Sequence, residues 1–60
     1  MIALPEQIAC VRREISMRER VYPRWVELGR MTQAKADQET EAMRAVLETL
    51  VAKEASERLL

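Results

Sequence analysis

A single glycine, Gly29, divides this chain. Arg30, Met31 and Thr32 follow it, and a long amphipathic segment lies on either side. Glycine ends helices at low steric cost because it enters the left-handed conformation freely. Threonine is a good residue to open a helix, since its hydroxyl accepts from free backbone N–H groups. A stop and a start so close together predict a tight helix–helix turn over residues 29–31. The expected fold is therefore all-α: one domain, 1–60, built as a two-helix antiparallel hairpin. The first helix is expected over about 5–28 and the second over about 33–56.

Pro5 suits the first position of a helix, where a missing N–H costs nothing, and Glu6 favours the positive end of the helix dipole. From there Leu4, Ile8, Val11, Ile15, Tyr22 and Trp25 recur at alternating steps of four and three, which marks one helical face. Arg18 occupies the remaining position on that face. A second strip of Cys10, Met17, Val21 and Leu28 lies to one side, so the apolar face is wider than one partner helix can cover.

Pro23 is the awkward residue. Inside a helix it removes a backbone hydrogen bond, clashes with the carbonyl of the residue four before it, and costs ~3 kcal/mol or more. It also biases Tyr22 away from helical geometry. A break at Tyr22 with a restart at Pro23 is one outcome. The apolar spacing stays in phase across the proline, which favours the other: a continuous helix kinked at Pro23 and curved around its partner. In the second segment Ala36, Thr40, Met43, Leu47 and Leu50 form the inner face, flanked by Glu39, Val46 and Val51. Glu57 to Leu60 have no evident anchor and are expected to fray.

Sixty residues allow only a small core. Ordering costs roughly 1.5 kcal/mol per residue, against ~25 cal/mol per Å² of apolar area buried, so such a domain sits near zero net stability. Hydrophobic residues nonetheless make up 48% of the chain, and two helices bury only one stripe each. The excess apolar surface predicts a homo-oligomer, with a dimer forming a helical bundle as the simplest form.

The net charge is zero but unevenly spread. Residues 1–31 hold six arginines and four glutamates, for +2; residues 32–60 hold four bases and six acids, for −2. Complementary halves attract each other, within a hairpin or between copies. A dedicated nucleic-acid binder shows a basic excess that this chain lacks, so DNA or RNA contact through Arg12, Arg13, Arg20 and Arg24 ranks second to protein contact. Pro5 and Glu6 interrupt the apolar N-terminus, unlike a secretory leader, and no apolar run approaches the ~20 residues that span a bilayer. The expected location is cytoplasmic, with no membrane partner.

Cys10 is the sole cysteine and there is no histidine, so neither an internal disulfide nor a zinc site is expected, and Cys10 reads as a small buried hydrophobe. Glu39 and Glu41, two apart, point in different directions on a helix and make no acid pair. No glycine-rich loop is present to cradle phosphate. These features argue against an enzyme and against a bound cofactor.

Antiparallel pairing about the turn sets Trp25 opposite Ala36, Tyr22 opposite Glu39, Ile15 opposite Val46 and Val11 opposite Leu50. Arg18 lies one turn further from the loop and is long enough to reach back. Arg18, Tyr22 and Glu39 are thus expected as a polar cluster in an apolar seam, a device that fixes register and partner choice. Arg20, Arg24 and Trp25 form a candidate interaction surface; such side chains dominate protein hot spots and also stack on bases. For the aromatic rings, packing near the turn ranks ahead of either contact.

The stretch Met17-Arg18-Glu19-Arg20-Val21-Tyr22-Pro23-Arg24-Trp25-Val26, continuing through Gly29-Arg30-Met31-Thr32 to Ala36, Glu39 and Met43, resembles a group of small helical proteins encoded by bacteriophages and prophages. The likeness covers roughly residues 8–50 and centres on R-x-R-V-Y-P-R-x-V-x-x-G-R-M-T. It implies a bacterial or phage origin and a cytoplasmic setting, and the leading expectation is a self-associating interaction protein that binds a phage or host protein. It carries no activity, so no catalytic residue passes with it. It singles out Arg18, Tyr22, Pro23, Gly29 and Glu39, the residues that the physical reading marks as unusual.

Overall fold

The computed structural model describes residues 1–59. They form two α-helices, α1 (Leu4–Glu27) and α2 (Gln33–Arg58), folded back on each other as an all-α hairpin. The result is a rod of 48 × 17 × 16 Å.

The turn is made by capping. Gly29 takes a φ of +73°, the left-handed conformation that the glycine was expected to supply. Its N–H donates to the carbonyl of Val26 at 3.1 Å, and the Arg30 N–H donates to that of Trp25 at 2.9 Å. This pair of bonds is the Schellman motif, which satisfies carbonyls that the end of α1 would otherwise leave free. Three residues after Gly29 the chain starts again: the Thr32 hydroxyl accepts from the Lys35 N–H at 3.1 Å. The two punctuation signals thus meet their backbone partners on either side of a short loop.

The other ends differ from expectation by a residue or two. At the N-terminus α1 begins at Leu4, so Pro5 sits in the first turn but not at its first position. Ala3 has no capping side chain; instead Gln7 reaches back, its Nε2 donating to the Ile2 carbonyl at 2.8 Å. At the far end α2 runs to Arg58, through Glu57, where fraying was expected. Lys53–Glu57 at 3.7 Å and Glu54–Arg58 at 3.6 Å run along its last turns, and such pairs each support a helix by a few tenths of a kcal/mol. Leu60 lies outside the described residues.

α1 is one uninterrupted helix through Pro23. The in-phase apolar spacing prevails over the cost of the proline. Tyr22 shows why: it is one of the buried residues, so breaking the helix there would pull an aromatic ring out of the seam.

That seam holds Leu4, Ile8, Val11, Ile15, Arg18 and Tyr22 from α1 and Ala36, Thr40, Met43, Leu47, Leu50 and Glu54 from α2, each of them buried or half-buried. The steps alternate four and three, the signature of a coiled-coil pair. Among the described residues only Ile8, Ile15, Tyr22 and Ala36 are buried, and none completely. Two rods enclose a line of contact and no more, so large apolar side chains remain in water: Leu28 at 55% and Val46 at 44% exposed.

Candidate functional site

The two sides of the hairpin differ in chemistry. On one side a groove of about 300 Å³ is lined by Arg18, Glu19, Tyr22 and Pro23 of α1 and by Gln33, Ala36, Asp37 and Thr40 of α2. On the other, near the open end of the hairpin, Gln7, Cys10 and Val11 meet Val46 and Leu50 in an apolar groove that Ile2 and Glu6 close off. Cys10 and Glu19 are nine residues apart, about two and a half helical turns, which sets the two grooves on opposite sides of the rod.

The polar groove gathers part of the expected cluster. Arg18 and Tyr22 both line it, but Glu39 does not. The Glu39 carboxylate is held by Lys35 at 3.0 Å, its neighbour one turn back. Arg18 turns along its own helix instead, toward Glu14, at a loose 3.8 Å. The acids that reach this groove are Glu19 and Asp37. Spacing along the chain could not separate these outcomes, because an i,i+4 partner on the same helix competes with a residue on the other.

Partners within the groove are mostly taken. Arg44 donates to Glu19 at 3.1 Å, the one ion pair that crosses from helix to helix among the described residues. Gln33 donates to Asp37 at 2.9 Å, and the Thr40 hydroxyl to the Ala36 carbonyl at 2.9 Å. Arg18 is the exception: its Nη1 is buried and has no hydrogen-bond partner. Pro23, one turn after Glu19, has no N–H to donate to the Glu19 carbonyl. One buried side-chain donor is therefore left unmatched near the middle of α1.

The aromatic pair packs. Tyr22 and Ala36 line the groove together at 9% and 4% exposed, and Trp25 does not line it. Trp25 leans on Tyr22, ring centroids 5.7 Å apart and tilted by 35°, and stays 38% exposed. Arg20 and Arg24 are exposed nearby, and with Arg12 and Arg13 they enter no ion pair among the described residues. Gly29 and Thr32 act on the backbone of the turn alone.

Cys10 corrects an expectation. It is exposed, not buried, and belongs to the strip of Cys10, Met17, Val21 and Leu28 along one side of α1. A two-helix fold has one inside, and the seam takes it. Among the described residues no three His, Cys, Asp or Glu side chains converge as metal ligands, and no helix is long and apolar enough to cross a membrane. Comparison with protein-family models, with curated proteins and with solved structures finds no match.

Proposed function

We propose that this protein is a non-enzymatic interaction module of the phage or prophage type, a helical hairpin that works by associating with itself and then with a phage or host protein. The observation that carries the reading is apolar exposure beside a very small core: Cys10 of α1, Leu28 at its end and Val46 of α2 stand exposed, while so few side chains are buried inside. Large apolar side chains left in water are what a partner can cover. The Arg20, Arg24 and Trp25 surface near the turn offers a further contact, with a half-exposed aromatic ring beside two unpaired guanidinium groups.

Sedimentation velocity over a range of concentrations tests the first step. A concentration-dependent dimer is expected, and Met17→Glu should return it to monomer by setting a charge in the strip. A wild-type monomer that holds its helicity on dilution would defeat the reading. Trp25, the sole tryptophan, then reports on a second partner: its fluorescence should shift on contact.

Nucleic-acid binding is the second reading, favoured by one observation. Arg12, Arg13, Arg20 and Arg24 are exposed with no acid paired to them among the described residues. Gel shifts at low and moderate salt separate the two, since phosphate contacts weaken steeply as salt rises. Tight, salt-sensitive retention of DNA or RNA would put this reading first.

A further inference from the structure

We infer that the outward side of α1 is a contact for the phosphate backbone of double-stranded nucleic acid, made by Arg13, Arg20 and Arg24 without reading sequence. The inference rests on the nucleic-acid reading above and names its residues and its ligand.

The ion pairs set the two helices apart. All four cations of α2 are paired: Lys35 with Glu39, Arg44 with Glu19, Lys53 with Glu57 and Arg58 with Glu54. Of the five arginines in α1, only Arg18 has an acid, Glu14, among the described residues. Spacing is the reason. Neither Arg13 nor Arg20 has an acid three or four residues away on either side, where helical ion pairs form. Arg20 and Arg24 are themselves four apart, and like charges at that spacing cost a helix a few tenths of a kcal/mol. The hairpin gains nothing from this arrangement, whereas a polyanion would.

Geometry gathers three of the arginines. At about 100° per residue, Arg13, Arg20 and Arg24 fall within about 40° of one another. They lie on the side of α1 turned away from its seam residues Ile8, Ile15 and Tyr22, and all three are exposed. They form a ridge about 16 Å long, with Glu6 and Glu27 at its two ends. Arg12 lies about 100° round from Arg13, toward the seam.

The zero net charge of the chain does not cancel this ridge. Glu41 and Glu48, on the outward side of α2, stand across a rod 17 Å thick. Charges that far apart are largely screened, since the Debye length is ~8 Å at physiological salt.

The neighbours of the arginines select the ligand. Small exposed side chains, Ala9 and Ser16, lie between the arginines and Glu6, with no ring among them. A protein hot spot needs a large apolar anchor, and the ridge has none. Single strands are held by stacking bases on aromatic rings. Trp25 lies about 100° round from Arg24 and leans on Tyr22 instead. What remains is charge on a straight, low ridge, which suits the backbone of a duplex and reads no base.

Fluorescence anisotropy on the intact chain tests this. The probes are two labelled duplexes of unrelated sequence and one single strand of equal length. Both duplexes should bind alike, with Kd of roughly 10⁻⁴ to 10⁻⁶ M. Three phosphate contacts predict a slope of log affinity against log salt of about −2.7, so binding should fall roughly 40-fold between about 50 and 200 mM salt. Arg13→Gln, Arg20→Gln and Arg24→Gln should each reduce the slope by about 1, with circular dichroism as the check on folding. Lys53→Gln makes the same charge change on α2 and should leave the slope as it is. An equal loss from Lys53→Gln, a sequence preference or tighter binding of the single strand would each overturn the ridge while nucleic-acid binding stands. Poly-glutamate competing as well as duplex would mark an acidic protein as the partner and overturn it too. No retention of any nucleic acid at low salt overturns both.

Discussion

At Gly29 the backbone holds φ at +73°, and nothing lies within 4 Å of where a Cβ would stand. A side chain there would meet open space, so the whole cost of replacing it is conformational. Gly29→Ala is expected to lose about 1 kcal/mol, measured by urea unfolding, and Gly29→Asn less, because asparagine tolerates the left-handed region better. Equal losses would show that the turn tolerates no side chain for some other reason. Thr32→Ala removes the acceptor for the Lys35 N–H and should cost ~1 kcal/mol. Arg18 runs the other way. Its Nη1 is buried without a partner, and an unsatisfied polar group costs ~1–3 kcal/mol. Arg18→Leu should raise stability. If the variant also shifts to other oligomeric states, the arginine specifies the assembly; if sedimentation is unchanged, it does not.

Each helix can be judged by what holds its shape. Proline in a helix interior costs ~3 kcal/mol, and α1 carries Pro23 without interruption. Pro23→Ala restores an N–H for the Glu19 carbonyl and should raise the melting temperature. No rise would mean that the seam, not the backbone, limits α1. Between the helices the Glu19–Arg44 bridge is more than half exposed on both sides, so a double-mutant cycle should give no more than ~0.5 kcal/mol of coupling. Most of this scale was legible in the sequence. Gly29 and Thr32 are local signals whose partners lie within five residues, and the apolar steps carry the seam directly. The level at which one helix meets the other was not. Tyr22 and Trp25 are three residues apart on one face, and which ring lines the groove with Ala36 depends on how the turn tilts the rods. Nor was the partner of Glu39 legible: its carboxylate pairs with Lys35 on its own helix. Cys10 was misread from its residue type, since a cysteine on a helix flank is buried only where a third element covers it.

For the molecule as a whole, what matters is how much apolar surface two rods leave uncovered. Leu28, at the turn end of the rod, and Val46, near its middle, are both more than two-fifths exposed. Val46→Glu is expected to weaken association and to leave helicity unchanged at high concentration, by sedimentation and circular dichroism together. If helicity falls in step with the dimer, hairpin and assembly fold as one unit.

Ile8, Ile15 and Tyr22 repeat every seven residues, a shade less than two full turns of an α-helix. An undistorted helix drifts ~20° per heptad from such a repeat. To keep all three against α2, the helices must coil about each other in a left-handed sense. Whatever spans the length of the hairpin inherits that spiral. A flat surface touches a spiral over a short arc and then parts from it, whereas another left-handed pair stays in step from one end to the other.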